Sequence, residues 1–298
     1  MSDLNQPQVQ EQEQEQLPPD LKGRLRDSYN AIAPLYNMWS LAYQGYRMRY
    51  TCKLLEFMRK FKQQRHQSPK EHAFIKPTDD GTGYEYKAPN PEHLKGMNAL
   101  EVGCGSGIPV AEILLAKDMT YFGVDLSVTQ INTALQNFQY QTDHLQASWL
   151  VGDMMDLSFP PGAMDVIIGF YSLIHLPREE QQVFLKRAWG WLRPGGMLMI
   201  NFGREELVSE VSENWLGHEK GWMFWSNWGE DTTMEILEGL GDGDEEGDGG
   251  GEGDGGKAEV LLKEITEADG EDPAFVWVIV RKSGGLEPRA RHFEFPAE

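Results

Sequence analysis

The sequence predicts an α/β fold built on a mostly parallel sheet with crossover helices, and three observations predict it. Short apolar runs alternate with helical periodicities from Met97 to Phe202. A glycine-rich turn stands between the first of those runs and its helix. The helical segments have the length that a parallel strand pair needs for its crossover. With 298 residues the chain can bury a full core of this kind.

Residues 1–20 are rich in Gln, Glu and Pro and carry almost no large apolar side chains, which predicts a disordered tail. Over 21–62 apolar residues recur at helical intervals, among them Ile32, Leu35, Tyr36, Trp39, Leu54 and Met58. Two helices broken near Pro34 or Gly45 fit this pattern. Residues 63–95 are polar and contain Pro69, Pro77, Pro89 and Pro91, and they read as an excursion or linker.

The α/β region follows, over 96–283. Met97 to Val102 is a strand, and Pro109 to Ala116 is the helix after the glycine turn, with proline in its first turn. Then come a strand at Thr120 to Val124, a helix at Val128 to Phe138, and strands at Ser148 to Val151 and Asp165 to Phe170. A helix from Arg178 to Leu192 ends in the turn Arg193-Pro194-Gly195-Gly196, and Met197 to Phe202 is the next strand. Thr232 to Leu240 reads as a helix, and Ala258 to Thr266 and Ala274 to Arg281 as two strands. Between them, 241–257 is nearly all Gly, Asp and Glu, a composition that predicts a flexible acidic insertion at a helix-to-strand turn. Residues 284–298 form a C-terminal extension.

Composition narrows the function. The chain has 27 Lys and Arg against 47 Asp and Glu, a formal net charge of −20, so it lacks the cationic surplus that displaces counterions from nucleic acid. Cys52 and Cys104 have neither the number nor the spacing of a disulfide framework or a zinc site. No metal site is expected. The acidic start has no signal-peptide pattern and no stretch has membrane-spanning length, so the expectation is a soluble, cytoplasmic protein acting on a small molecule, without nucleic acid or membrane as partner.

The chemistry concentrates in Glu101-Val102-Gly103-Cys104-Gly105-Ser106-Gly107. Glycines allow the chain to turn tightly and lie against a ligand, while the following helix aims its N-terminal amides at it. Asp125 ends the second strand about two dozen residues further on, where a carboxylate can accept from ribose hydroxyls. Gly152-Asp153-Met154 closes the third strand, where an acceptor side chain and an adjacent amide can bracket an adenine edge; Asp153 equally suits a turn or helix cap. A dinucleotide fingerprint needs Gly-x-Gly-x-x-Gly, but here the third glycine comes one place early at Gly107 and Ile108 stands in its position. The acid at Glu101 suits a sulfonium and an α-amino group better than a pyrophosphate.

Together these motifs resemble the class I S-adenosylmethionine-dependent methyltransferases, in particular the methyltransferase-domain group with many small-molecule enzymes. The resemblance runs from about Tyr29 to Lys282 and includes Leu-Arg-Pro-Gly-Gly at Leu192 to Gly196. It implies a Rossmann-like, mostly parallel seven-stranded sheet with helices on both faces and an antiparallel last strand. It implies S-adenosylmethionine as cofactor, with Glu101, Gly103, Gly105 and Gly107 around its methionine and ribose. Asp125 would then hold the ribose and Asp153 with Met154 the adenine, with Cys104, Leu126, Gly152 and Phe170 also binding the cofactor. Tyr29-Asn30-Ala31-Ile32-Ala33-Pro34-Leu35-Tyr36 resembles the N-terminal helix that caps the cofactor in such enzymes, with Tyr29 and Tyr36 near the methionine end.

Transfer of an activated methyl chiefly requires in-line placement and exclusion of water, with a base only for acceptors that carry a proton of high pKa. His175, after the fourth strand, is the candidate base; it equally suits a histidine bonded to backbone. The candidate acceptor pocket is Tyr171, His175, Trp222 and Trp225, within an aromatic concentration that also contains Trp215, Phe224 and Trp228. His218 and Arg204 lie nearby, and Cys104 reads as a small residue with a useful amide rather than a nucleophile. The expected function is methyl transfer to O, N, S or C of a small molecule. The alternative is a methyltransferase-fold protein without methylating activity, acting as a regulatory or interaction protein.

Because closure entropy grows slowly with loop length, the acidic insertion should be dispensable for cofactor binding. A deletion of residues 242–256 is expected to retain S-adenosylmethionine affinity in calorimetry, and complete loss would contradict that.

Overall fold

The computed structural model describes residues 17–63, 74–77, 84–87, 94–139, 146–242, 256–267 and 274–284. Most of the expected N-terminal tail, much of the 63–95 excursion, the bulk of the acidic insertion and nearly all of the C-terminal extension lie outside the described residues.

The N-terminal region forms α1 (Leu21–Trp39), a 3₁₀ turn (Ser40–Tyr43) and α2 (Gln44–Gln63). The break falls at Ser40–Tyr43, not at Pro34 or Gly45. Pro34 lies inside α1 and forfeits one helix hydrogen bond, but the adjacent Ile32 and Ala33 are fully packed and hold that turn in place. Within the excursion, β1 (Phe74–Pro77) and β2 (Tyr84–Lys87) pair antiparallel as a separate small sheet.

The main sheet contains β3 (Asn98–Val102), β4 (Thr120–Asp125), β5 (Ala147–Val151), β6 (Met164–Gly169), β7 (Leu192–Gly203), β10 (Ala258–Thr266) and β11 (Phe275–Lys282). Its helices are α3 (Val110–Leu115), α4 (Val128–Phe138), α5 (Arg178–Trp191) and α6 (Gly229–Glu238). A separate hairpin, β8 (Leu207–Ser212) with β9 (Met223–Asn227), follows β7. The seven strands run in the order β10-β11-β7-β6-β3-β4-β5. Strands β3 to β7 are parallel, whereas β11 is antiparallel to β7 and β10 antiparallel to β11. This is the seven-stranded Rossmann-like arrangement that the sequence predicted, with the antiparallel last strand wedged inside the edge.

Two local expectations change. The Leu192 to Gly196 segment is not a turn ahead of the strand but its beginning: Leu192 already pairs with Met164, and the register slips before Val166 meets Met197. The β8–β9 hairpin was not expected from the sequence. Its outer strand is Leu-Val-Ser-Glu-Val-Ser with mostly exposed side chains, which gives no clean apolar alternation to detect.

Side-chain alternation along the strands divides the core into two layers. Leu100, Val102, Ile167, Leu198, Ile200, Val276 and Val278 face Phe184, Leu185 and Ala188 of α5 and Met234 and Leu237 of α6. Ala99, Tyr121, Val166, Ile168, Met199 and Trp277 face Tyr50, Leu54, Leu55 and Met58 of α2 and Val110, Ala111 and Leu114 of α3. Trp277 is the hinge of the second layer. It is fully buried, stacks on Tyr50 with centroids 4.1 Å apart and an interplanar angle of 9°, and meets Phe170 edge-on at 5.1 Å and Tyr171 at 5.5 Å. Trp277 thereby fixes the residues that leave β6 toward the site. Trp277→Ala is expected to cost about 3–5 kcal/mol in urea denaturation; a loss below about 1 kcal/mol would show that the layer collapses around the gap.

Candidate active site

The parallel strands release their chains at one edge of the sheet, and the candidate residues collect there. Gly103 to Ser106 follow β3, Leu126 follows β4, Gly152 to Met154 follow β5, and Phe170 to His175 follow β6. Helix α1 lies across this edge. Asn30 Oδ1 accepts from Ser127 Oγ at 2.8 Å and from the Thr129 amide at 3.2 Å, and Ser28 Oγ accepts from the Trp222 amide at 2.8 Å. Lys22 pairs with Asp153 and Glu180, each at 2.7 Å.

Beneath α1 runs a crevice in which the centre of a water-sized sphere can reach about 90 Å³. It is lined by Gly103, Gly105, Ser106, Asp125, Leu126, Gln130, Gly152, Asp153, Met154, Phe170, Tyr171 and Ser172, and from above by Lys22, Leu25, Tyr29, Tyr36 and Arg47. The glycines of the turn divide by role. A Cβ on Gly105 would project into open space, so the bare backbone there is free to meet a ligand. At Gly107, where φ is +77°, a Cβ would lie 2.5 Å from the Trp149 ring, so this glycine serves packing of the turn.

Asp125 is held with one oxygen accepting from the Gly105 amide at 2.9 Å and the other from the Ser127 amide at 2.8 Å. Burial pushes its pKa up, while those two amides oppose the rise. A carboxylate has about four acceptor positions, so about two remain for a ligand. Gln130 and Ser172 also line the crevice with buried polar atoms, both amide atoms of Gln130 and the Ser172 hydroxyl, that have no hydrogen-bond partner among the described residues. Buried polar groups are normally paired. A ligand bearing hydroxyls and an amine fits this donor and acceptor set, as an adenosyl group with an amino acid end does.

Asp153 accepts from the Met155 amide at 2.9 Å as well as pairing with Lys22. It therefore caps its turn and borders the crevice at once. Lys22 was not foreseen, because a lone lysine in a helix's first turn carries no sequence signal.

A second cavity, of about 570 Å³ on the same measure, opens beside the first. Its walls are Tyr29, Tyr36, Trp39, Tyr43, Tyr171, Trp215, Trp225 and Phe275, with Glu205, Glu206 and Glu210 also on its lining. Tyr29, Tyr36, Arg47, Tyr171 and His175 line both cavities and so form the junction between them. There, His175 Nδ1 lies 2.8 Å from the Phe224 carbonyl oxygen and Nε2 lies 2.8 Å from the Tyr29 hydroxyl. A carbonyl only accepts, so Nδ1 carries the proton and Nε2 accepts from Tyr29. Burial lowers the His175 pKa to about 4, and burial raises that of Tyr29 well above its ordinary value.

Several expected site residues stand elsewhere. Glu101 is not on the crevice wall: it is buried beneath the turn and accepts from the Tyr121 hydroxyl, and burial raises its pKa to about 8. Cys104 points into the lower core layer, where burial keeps its thiol protonated. Gly107 packs on Trp149 as described. Trp222 is absent from the second cavity; its ring packs with Leu21, Leu25 and Ile32 and lies under Arg24, 4.0 Å from the guanidinium carbon. His218 also lies off both cavities, with Nδ1 accepting from the Lys220 amide, whereas Arg204 is on the second. Ser106, Gln130, Ser172, Arg47, Trp39, Tyr43 and Phe275 join the walls without having been predicted as site residues. Among the described residues no cluster of His, Cys, Asp or Glu could hold a metal ion, and no helix is long and apolar enough to cross a membrane.

This architecture has counterparts. Residues 99–196 match the methyltransferase domain family model. Residues 99–196 are thus similar to the class I S-adenosylmethionine-dependent methyltransferase domain. It is 31% identical over 107 residues to the O-methyltransferase rstn1 of Aspergillus nomiae, covering 36% of this chain and 47% of that protein. It is 29% identical over 120 residues to the sterol 24-C-methyltransferase erg6 of Aspergillus fumigatus, covering 40% and 30%. The chain spans less than half the length of these relatives. Its fold resembles magnesium protoporphyrin IX methyltransferase from Synechocystis PCC 6803, solved with bound SAH, at a TM-score of 0.54 and 16% identity, covering 89% of this chain and 100% of that one.

Glu101 has a measurable signature. Its pKa of about 8 stands above the ordinary 4.5, so the folded state holds the proton that the unfolded chain releases, and stability on this account is lost as pH rises from 4.5 through 8. Glu101→Gln keeps a neutral side chain and should gain on wild type between about pH 5 and pH 8 in urea denaturation. A gap that does not change with pH would place the ionised form in the fold.

Proposed function

We propose that the chain transfers a methyl group from S-adenosylmethionine to a small-molecule acceptor. The observation that carries this reading is the pair of cavities, one over the glycine turn and one walled by aromatic rings, that share a junction of Tyr29, Tyr36, Arg47, Tyr171 and His175. Methyl transfer needs two ligands to meet at one point out of water, and this arrangement provides it. The cofactor, when bound, supplies a methyl group already activated on a sulfonium.

The chain's own residues supply placement. Gly103, Gly105 and Ser106 would offer their backbone to the amino acid end, and Asp125 with Gln130 would take the ribose hydroxyls. Leu126, Gly152, Asp153 and Met154 would border the adenine, with Lys22 fastening α1 over it. Helices α1 and α2 would act as the cap. The rings of Tyr29, Tyr36 and Tyr171 exclude water at the junction, and their faces favour a nearby cation. The acceptor would lie along Trp215, Trp225 and Phe275. His175 acts here as a fixed neutral acceptor that orients Tyr29, since its Nδ1 proton is committed to Phe224 and its Nε2 to the phenol.

Asp125→Ala should weaken S-adenosylhomocysteine binding by about 1–3 kcal/mol in calorimetry; unchanged affinity would remove Asp125 from the ribose. His175→Ala should lower turnover about a hundredfold through misplacement of Tyr29, with cofactor affinity kept. A full-rate variant would reduce the histidine to a loop-shaping residue. The whole proposal is tested by incubating the chain with labelled S-adenosylmethionine and a panel of aromatic metabolites, and it fails if the protein does not bind the cofactor.

A further inference from the structure

One face of the β8–β9 hairpin forms a wall of the second cavity. Leu207 pairs with Asn227 and Glu210 with Trp225, cross-strand partners share a face, and all four residues line the cavity. Asn227 is only 6% exposed. Its Oδ1 accepts from the Gly229 amide at 2.9 Å, and its Nδ2 donates to no acceptor among the described residues. That nitrogen stands over Gly203, another lining residue, 2.8 Å from where a Cβ on the glycine would lie. The bare backbone at Gly203 thus leaves the amide open to the cavity. A donor so nearly buried is costly to leave unpaired, and a ligand oxygen would complete it. Charge also changes along the cavity. Arg47 lines both cavities and marks the junction, whereas Glu205, Glu206 and Glu210 line the second alone. Arg204 is met by Glu230 at 3.2 Å, and Glu206 by Arg178 at 2.6 Å. Glu205 and Glu210 are exposed at the rim and enter no ion pair among the described residues.

We infer that the methyl acceptor is a flat aromatic cation, with its rings along Trp215 and Trp225, an oxygen accepting from Asn227 Nδ2, and an ammonium at the rim beside Glu205 and Glu210. This rests on the methyltransferase reading above and specifies its substrate class. The ammonium is remote from the reacting atom. Arg47 and, on that reading, the cofactor's sulfonium both stand at the junction, and like charges there turn the cationic end of the acceptor outward. The other end then faces the methyl group. Trp215 and Trp225 meet edge-on with centroids 5.9 Å apart, and an indole face attracts a cation that lies over it. Spacing agrees as well. Asn227 is the diagonal neighbour of Glu210 on the hairpin face, and such neighbours are about 7–8 Å apart, close to the span between the ends of a two-ring system. An anionic acceptor would instead meet two carboxylates without counter-charges as it entered.

The test uses the full chain saturated with S-adenosylhomocysteine and titrated by calorimetry with three probes of one shape. They are the cation (6-methoxynaphthalen-2-yl)methylamine, the neutral (6-methoxynaphthalen-2-yl)methanol and the anion 6-methoxy-2-naphthoate. The amine is expected to bind at least about fivefold tighter than the alcohol, with the anion weakest. Glu205→Gln combined with Glu210→Gln, both at exposed positions, should bring amine and alcohol within about twofold of each other. Equal affinities in the wild type, no binding of the amine, or a cation preference that survives the double variant would overturn the inference. A second arm removes the oxygen. In the wild type 2-naphthylmethylamine should bind at least about threefold more weakly than the methoxy amine. In Asn227→Asp, which keeps an acceptor for the Gly229 amide but cannot donate, the two amines should bind alike. Should that variant fail to fold, Gly203→Ala, whose methyl covers the amide nitrogen, carries the same comparison. Two amines that the wild type does not distinguish, or that the variants still do, would strike Asn227 from the acceptor site. Failure of the wild type to bind S-adenosylhomocysteine would instead bring down the methyltransferase reading itself, whereas cofactor bound with indistinguishable probes brings down this inference alone.

Discussion

The hydrogen bond between Tyr29 and His175 is the contact on which the rest of the site depends. It joins α1, which belongs to the N-terminal cap, to the segment that leaves β6, and through the Phe224 carbonyl it reaches β9 as well. Three pieces of chain far apart in sequence are thereby held at one point. Tyr29 is one of five residues that line both cavities, and this bond, with its ring contacts to Tyr36 and Trp215, fixes where its phenol stands between them.

What surrounds that point is a supporting frame of hydrogen-bonded polar groups, in which Asn201 Nδ2 is buried without a partner among the described residues. Gln181 donates to the Leu176 and Ser226 carbonyls, and Ser226 Oγ donates to the Leu176 carbonyl, all within the buried zone behind His175. Asn201 accepts from the Tyr171 amide at 2.7 Å, which fixes the backbone of a residue whose φ is +55°. Such networks specify one arrangement because each member left unpaired would cost more than its bond contributes. The atoms that remain unpaired on Gln130, Ser172 and Arg47 belong to residues lining the cavities, where a ligand can complete them.

Much of this frame was legible in the sequence, for a physical reason. Strands β3 and β4, buried on both faces, leave continuous apolar runs, and the glycine turn and Asp125 mark their ends; β5 is largely exposed, yet Gly152 to Met154 marks its end, so the edge of the sheet that carries the candidate site could be read in order. The legibility stopped where neighbours are distant in sequence. Glu101 could not be told from a ligand-facing acid until Tyr121, on the adjacent strand, was seen to cover it. Trp222 and Trp225 looked alike in one aromatic cluster, yet only the latter faces the cavity, while Trp222 is drawn under α1 by the Ser28 bond. Lys22 and Arg47 carry no motif of their own; they matter because two helices cross the strand ends.

The direction of β10 and β11 has a consequence for the most charged part of the chain. Since β11 enters at the edge that carries the candidate site with Phe275 opposite Gly203 and departs at Lys282 opposite Ala258, β10 must begin at the far rim of the sheet. The acidic segment is anchored there, between Asp242 after α6 and Gly256, whose carbonyl accepts from the Trp189 indole. Its attachment points are separated from the edge that carries the candidate site by the length of a nine-residue strand, roughly 30 Å. The residues flanking that stretch are thus fixed away from the candidate site, so that a change in its length leaves the strand ends around the site in place.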